Sequence, residues 1–410
     1  MRPVQVFVEQ SGELLAAGQL YAHRRGRTES ATFAYDPAYI GDLRAYSLDP
    51  QLQLNTGSFQ TGVQQMIFGC FSDCAPDRWG RTLLKRQEIA QARHDSRTAR
   101  TLGEIDFLLG VRDDLRQGAL RLRIDEGPFL APDATGVPAF MELPDLLSLA
   151  ARVEADDADL PDLQRLVRVA GSLGGARPKA HIRTPGGRLA IAKFPSDKVD
   201  TWNVMAWEQV ALTLAQAAGI DVPASQLHDI AGRHVLILER FDRDERGHRL
   251  GYASAMTMLE ASDGDSHSYL DIAEIVEQCS LQTSEELHQL WRRMVFSILI
   301  SNTDDHLRNH GFVHVRGDAW RLSPAFDMNP NPDPGPQFHS TSIDGSDEPA
   351  TIEAALAVAG YFRLSAGDAT EQLREIASAV GLWRACASRM GLSYREQEAM
   401  APAFSRLIDV

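Results

Sequence analysis

The sequence is short of cysteine, of net positive charge and of long apolar runs, and each shortage removes a class of function. Only Cys70, Cys74, Cys279 and Cys386 occur in 410 residues. That is too few for a disulfide scaffold, and Cys70-x3-Cys74 has no second pair with which to complete a zinc site. Free thiols in a reducing compartment are expected. Lys+Arg total 41 against 56 Asp+Glu, a formal charge of −15, and the isoelectric point is about 5.3. Such a chain cannot release many phosphate counterions, which argues against a free-standing, nonspecific nucleic-acid binder and favours a basic partner. No uninterrupted apolar run approaches the ~18 residues of a membrane span. The first residues alternate apolar and polar and contain acids, unlike a signal peptide. A cytoplasmic protein without membrane contact is expected.

What remains is ordinary globular material, 44% hydrophobic, long enough for two or three domains. Residues 4–8, 14–21 and 32–35 read as strands, the first two joined around Ser11-Gly12. A helix is expected over 77–93, with Pro76 at its start and Asp73 and Asp77 complementing its amino end. The Gly/Pro-rich passage 125–138 reads as a linker and 142–153 as a helix, followed by an acidic solvated turn over 154–159. A hairpin turning at Pro185-Gly-Gly follows a glycine-rich stretch beginning at Gly171. Helical spacing over 202–218 stops at Gly219. Residues 234–242 form a strand that leaves the core, and from Ser254 the helical pattern dominates. Boxes at Thr283/Glu286, Ser365/Asp368 and Ser393/Glu396 open successive helices.

Chemistry concentrates in VFSILISNTDDHLRN (295–309) and LSPAFD (322–327). Each is an apolar run that ends in oxygen-bearing side chains, a costly arrangement unless function needs it. Asp304 and Asn309 stand five apart, the interval at which kinases place a proton-accepting Asp and a metal-binding Asn. Asp327 offers a second carboxylate. Taken singly, each acid reads as a cap or turn residue. Upstream, the glycines permit close backbone approach to phosphate, and Lys193, inside an apolar strand, either snorkels outward or meets an anion. Glu208 lies one position off its helix's apolar stripe. It either faces the Lys193 strand or is solvated.

The order of glycine loop, strand lysine, helix glutamate, hinge strand, Asp-x4-Asn and apolar-Asp is that of a bilobal kinase. The chain resembles HipA-type serine/threonine kinases, toxins of bacterial type II toxin–antitoxin pairs. GSLGGARPK (171–179), AKFP (192–195), ERFDR (239–243), TDDHLRN (303–309) and SPAFD (323–327) carry the likeness, with PDRWGR (76–81) and QGALR (117–121) extending it over nearly the whole chain. The resemblance implies an α+β fold: a β-rich amino-terminal subdomain (1–125), a kinase N-lobe-like part (139–242) and a mostly helical C-lobe (243–410). It makes Asp304 the catalytic base, and Asn309 and Asp327 the magnesium ligands. Ser172, Leu173, Gly174, Gly175 and Ala176 become the loop covering the phosphates of ATP, Lys193 their cation, the backbone at Glu239 and Phe241 the adenine site, and His306 a further nucleotide-side residue. Ser172 also matches a loop serine whose autophosphorylation switches such kinases off.

The implied partners are a dimeric helix-turn-helix antitoxin, DNA only through that antitoxin, and a protein substrate such as glutamyl-tRNA synthetase. Asp305, where relatives often carry glycine, leaves its division of roles with Asp304 open. Three other readings compete: a zinc site from His306, His310 and His314, which lacks an HExxH glutamate; a catalytically silent corepressor; and a kinase of small molecules or lipid head groups.

Overall fold

The structure, a computed structural model, describes every residue except 1–2, 27, 63–64, 131–135, 172–176, 334, 336–337, 347 and 410. It divides into two compact units. The first comprises residues 1–199, 239–253 and 313–318; the second comprises 200–238, 254–312 and 319–410.

The first unit is built on an antiparallel sheet. Strands β1 (Val4–Gln10), β2 (Glu13–Arg25), β3 (Thr28–Tyr35), β4 (Ser58–Gln60) and β5 (Leu120–Ile124) lie in the order β4-β3-β2-β1-β5. Their alternation has a structural cause: Val4, Val6, Leu20, Phe33 and Leu122 turn into one core while the residues between them do not. The helix Arg78–His94 packs on this unit, with Trp79 and Leu83 buried. Its N-cap is Asp77, whose carboxylate accepts the Gly80 N–H at 2.7 Å. Pro76 therefore stands outside the helix it was expected to begin, and Asp73 closes the separate short helix Gly69–Asp73.

Helix Leu143–Glu154 forms where expected. The acidic stretch after it does more than turn: Asp159 and Asp162 make a reciprocal capping box that opens a further helix, Leu160–Val169. Strands β6 (Lys179–Arg183) and β7 (Leu189–Lys193) then form the expected hairpin, with Lys179 directly opposite Lys193.

The second unit is mostly helical. Helix Val204–Ala217 starts at the Asn203 cap and stops at Gly219, which takes φ +74°. After it come β8 (Ser225–Ile230) and β9 (Arg233–Glu239), paired antiparallel from Ile230–Arg233 to Ser225–Leu238. The short strands β10 (Tyr252–Ser254) and β11 (Gly311–Arg316) carry residues of both units, and β12 (Ala319–Leu322) belongs to the second. Helix Thr283–Leu299 is buried all round from Arg293 onward, with Trp291, Met294, Phe296 and Ile298 fully inside. Such a helix is stabilised by packing rather than by propensity. The stacked Trp383 and Phe404 rings, 4.4 Å apart, pack beside Trp207.

Capping needs one correction. The box at Ser393/Glu396 forms and Ser365 caps its helix, but Thr283/Glu286 does not: the N-cap is Gln282, with no side-chain cap. Glu286 instead accepts the Leu322 N–H at 2.9 Å, a tertiary bond that outcompetes the local one.

Candidate functional site

The site in the second unit starts where the buried helix ends. After Ile300 the chain reverses through Ser301 at φ +53°, and the Asn302 N–H returns to the Ser297 carbonyl at 2.8 Å. Ser301 Oγ donates to the Ala403 carbonyl at 3.0 Å, fixing the turn. Four residues of loop then separate Asp304 from Asn309, and the spacing acquires a geometry. Asn309 Nδ2 donates to the Asp304 carbonyl at 3.0 Å, the His306 N–H donates to the same oxygen at 3.1 Å, and the Asn309 N–H to the His306 carbonyl at 2.8 Å. The Asp304 side chain is exposed and Asn309 is buried.

Asp305, its neighbour, points inward. Its carboxylate accepts the Tyr269 hydroxyl and the Ser297 hydroxyl, the latter at 3.1 Å. His310 Nε2 lies 3.1 Å from its other oxygen, close enough for charge attraction although off line for a hydrogen bond. Burial alone would raise this carboxyl's pKa. His310 and the Tyr269 hydroxyl overcome that and hold it well below the usual carboxylate range. The two adjacent acids thus occupy opposite environments, one wet and one dry.

The second apolar segment is fastened to the same loop. Arg293, fully buried, donates to the Ser323 carbonyl at 2.6 Å, and burial pushes its guanidinium down to about 10. Asp327, half-buried, takes φ +61°, a left-handed conformation that costs a non-glycine residue energy and is often kept for function. Asn329 connects it to the loop: its N–H donates to Asn302 Oδ1 at 3.3 Å, and its Nδ2 reaches Asp327 Oδ1 at 3.5 Å. Asn331 Nδ2 donates to Thr303 Oγ1 at 2.9 Å. A third stretch also lies along the loop, with the Ser340 N–H on the Thr303 carbonyl at 3.1 Å and the Thr341 N–H on the Asp305 carbonyl at 3.0 Å.

For a metal, the donors present are hard. With Nδ2 of Asn309 committed to backbone, its Oδ1 is the atom left for a ligand, and Asp327 adds a carboxylate; amide and carboxylate oxygens suit magnesium. Two of the three histidines serve elsewhere. His310 is buried against Asp305, while His314 stacks on Tyr46 at 3.7 Å and its Nε2 sits 2.8 Å from the Gly317 carbonyl. Among the described residues no group of three or more His, Cys, Asp or Glu is arranged to hold a metal ion, so the zinc alternative loses its basis there.

The first unit holds the expected nucleotide-side residues other than His306, which belongs to the second. Ser172, Leu173, Gly174, Gly175 and Ala176 lie outside the described residues. Gly171, just before them, lies flush against His181: a Cβ there would stand 2.0 Å from the ring. His181 is fully buried, and burial pushes its imidazole down to about 3. Across the hairpin, Lys179 is paired with Asp77 at 2.6 Å, both nearly inaccessible, which relieves the repulsion two facing lysines would otherwise have. Lys193 closes β7, half-buried. Glu239 lies 2.6 Å from Arg188, and the Phe241 ring is 6.1 Å from Tyr252. Glu208, for which solvation was one alternative, is buried.

Sequence reasoning missed the residues that fasten the loop. Asn329, Asn331 and Ser340 carry no motif of their own, and Tyr269 lies 36 positions from the acid it bonds. Their one available signal was the density of Asn and Ser after Asp327.

Comparison with known proteins places this arrangement. Residues 171–383 match the family model of the HipA-like C-terminal domain. A Haemophilus influenzae protein named "Putative kinase" is 26% identical over 135 residues, 30% of this chain and 39% of that protein. "Putative kinase Y4dM" of Sinorhizobium fredii is 29% identical over 213 residues, 43% of this chain and 50% of the relative. The chain thus spans half or less of the length of these curated relatives. Among solved structures, the Shewanella oneidensis MR-1 toxin–antitoxin complex of HipA, HipB and operator DNA superposes with a TM-score of 0.69 at 14% identity, covering 99% of this chain and 96% of that one. The likeness shows the fold. It is the mixed α+β fold of HipA, and because the family model spans more than half of the sequence, the chain belongs to the HipA-like family.

Proposed function

We propose that the chain is an ATP- and magnesium-dependent serine/threonine protein kinase acting as the toxin of a toxin–antitoxin pair. One observation carries this reading: an exposed Asp304 on a loop closed by Asn309 and tied through Asn302 and Asn329 to a left-handed Asp327. Asp304 accepts the acceptor hydroxyl's proton as that oxygen bonds to the γ-phosphorus and the β–γ bridging oxygen leaves with ADP. Asn309 and Asp327 would hold magnesium, which when bound neutralises charge developing on the phosphates. Lys193 and the loop Ser172, Leu173, Gly174, Gly175 and Ala176 would bind the phosphates, with His306 beside them, and the Glu239 and Phe241 backbone would bind adenine.

The acceptor is proposed to be a translation component, an aminoacyl-tRNA synthetase such as the glutamyl enzyme, with autophosphorylation on Ser172 as the off-switch. The net charge of −15 supports silencing by a basic, dimeric helix-turn-helix antitoxin, and DNA contact only through it. Phosphoproteomics after induced expression, with Asp304→Asn as control, tests the whole reading. The expected outcome is growth arrest with new phosphoserine on a translation protein, both absent in the variant and relieved by a co-expressed antitoxin. Transfer only to a small hydroxyl compound, or equal arrest by the variant, would overturn it.

A further inference from the structure

The ERFDR segment shows a division of labour inside the first unit. Arg240 and Asp242 are 3% and 2% exposed, whereas Glu239 and Phe241 between them are half-buried. The Arg240 N–H donates to the Leu189 carbonyl at 3.0 Å, one position past the end of β9 at Glu239, and Phe241 begins the turn that follows.

The buried pair is held by a segment far upstream. Arg240 forks onto Asp242, Nε to Oδ1 at 2.8 Å and Nη2 to Oδ2 at 2.5 Å. The same guanidinium donates Nη1 to the Leu115 carbonyl at 2.6 Å and Nη2 to the Arg116 carbonyl at 3.2 Å. In return the Gly118 N–H donates to Asp242 Oδ2 at 2.8 Å. Arg243 bridges Asp242 Oδ2 at 2.7 Å and the Arg116 carbonyl at 3.0 Å. Gly118 takes φ +74°, and a Cβ there would press on Tyr252 at 3.2 Å.

A buried ion pair adds little net stability against an apolar replacement, and its best-attested use is to fix geometry. A bidentate fork is the most directional form of such a pair. We propose that residues 115–118, which precede the part matched by the family model, position the adenine-binding hinge: through Arg240 and Asp242 they set the affinity for the base without touching the nucleotide. The inference rests on the kinase reading above and names Arg240 and Asp242 as positioning residues.

The test uses the full chain with Asp242→Asn, which keeps the shape of the acid, and Gly118→Ala, which disturbs the clamp from its far side. Arg240→Ala is avoided because it strands a buried carboxylate. Thermal melts first establish that both variants are folded at the assay temperature. Dissociation constants are then measured for ATP, adenosine and tripolyphosphate, each with magnesium. ATP and adenosine should weaken by at least about tenfold, the scale of a misplaced contact surface, while tripolyphosphate changes by less than about twofold because it lacks a base. Unchanged adenosine binding in both variants, or an equal loss for tripolyphosphate, overturns the positioning role. Wild-type protein that binds neither ATP nor adenosine would instead overturn the kinase reading beneath it.

Discussion

Exchanging Asp304 and Asp305 in turn should separate chemistry from stability. Asp305→Ala removes the acceptor of the Tyr269 and Ser297 hydroxyls and the carboxylate beside His310. Each of the two buried donors left unsatisfied costs about 1–3 kcal/mol, so the loss is roughly 2–6 kcal/mol. Against a total of about 5–15 kcal/mol, that is a large share. Asp304→Ala, on an exposed side chain, should stay within about 0.5 kcal/mol of wild type. Urea melts give the comparison directly, and phosphotransfer assays give the inverse one, since Asp304→Asn should lose about a hundredfold or more.

The pH dependence adds an independent reading. The folded pKa of Asp305 lies below its unfolded value of about 3.9, so the unfolded chain binds the proton more readily. Its stabilisation is complete above that pH and is lost as pH falls towards the folded pKa. Asp305→Asn should therefore flatten the acid limb of the stability curve. An Asp305→Ala midpoint equal to wild type, or equal losses in the two alanine variants, would refute the assignment of a dry structural acid beside a wet catalytic one.

Further outcomes are expected at three positions. Gly171→Ala drives a methyl into the buried His181 ring, an overpacking worth about 1–3 kcal/mol; His181→Ala should recover at least half of it in the double variant, and strict additivity of the two losses would count against the contact. Asp327→Asn should weaken ATP binding in excess magnesium by about tenfold or more and leave metal-free binding unchanged, as read by titration with and without EDTA; equal affinities in magnesium would remove Asp327 from the ligand set. Phosphate on Ser172 adds about −1.5 to −2 charges, so Ser172→Ala should stay active after preincubation with ATP while wild type fades, and mass spectrometry finding no phosphate there would remove the switch.

The amino-terminal strands and the hairpin were legible because period-2 burial is a local property that alternation records directly. The helix Arg78–His94 was legible too, although its start was set at Pro76, and Asp77, expected to complement its amino end, is its N-cap and the partner of Lys179. The box at Thr283 was misread for a physical reason: Glu286 had two donors within reach, and the one supplied by tertiary structure, Leu322, won. Helix Leu160–Val169 went unseen although its Asp159/Asp162 box and early proline were present in the sequence. A run of acids reads as solvent until the apolar positions after it are counted.

The site divides along the same line. Spacing singled out Asp304, Asn309 and Asp327 as candidates because loop closure is set by residues near in sequence, but two adjacent aspartates cannot be told apart by spacing. What separates them is Tyr269, brought by another helix. The hinge carries the point further. Composition places arginine and aspartate on surfaces, and an acidic total of −15 hides a local cluster in which Arg240 and Asp242 are buried, Arg243 is half-buried, and all three meet backbone more than 120 positions away. Arg249 joins the same region through Asp113, 136 positions upstream. Charges with partners so distant are stable only when both segments are folded, because either half alone would strand its ions in a low-dielectric interior. Residues 240–249 and residues 113–118 should therefore lose structure together.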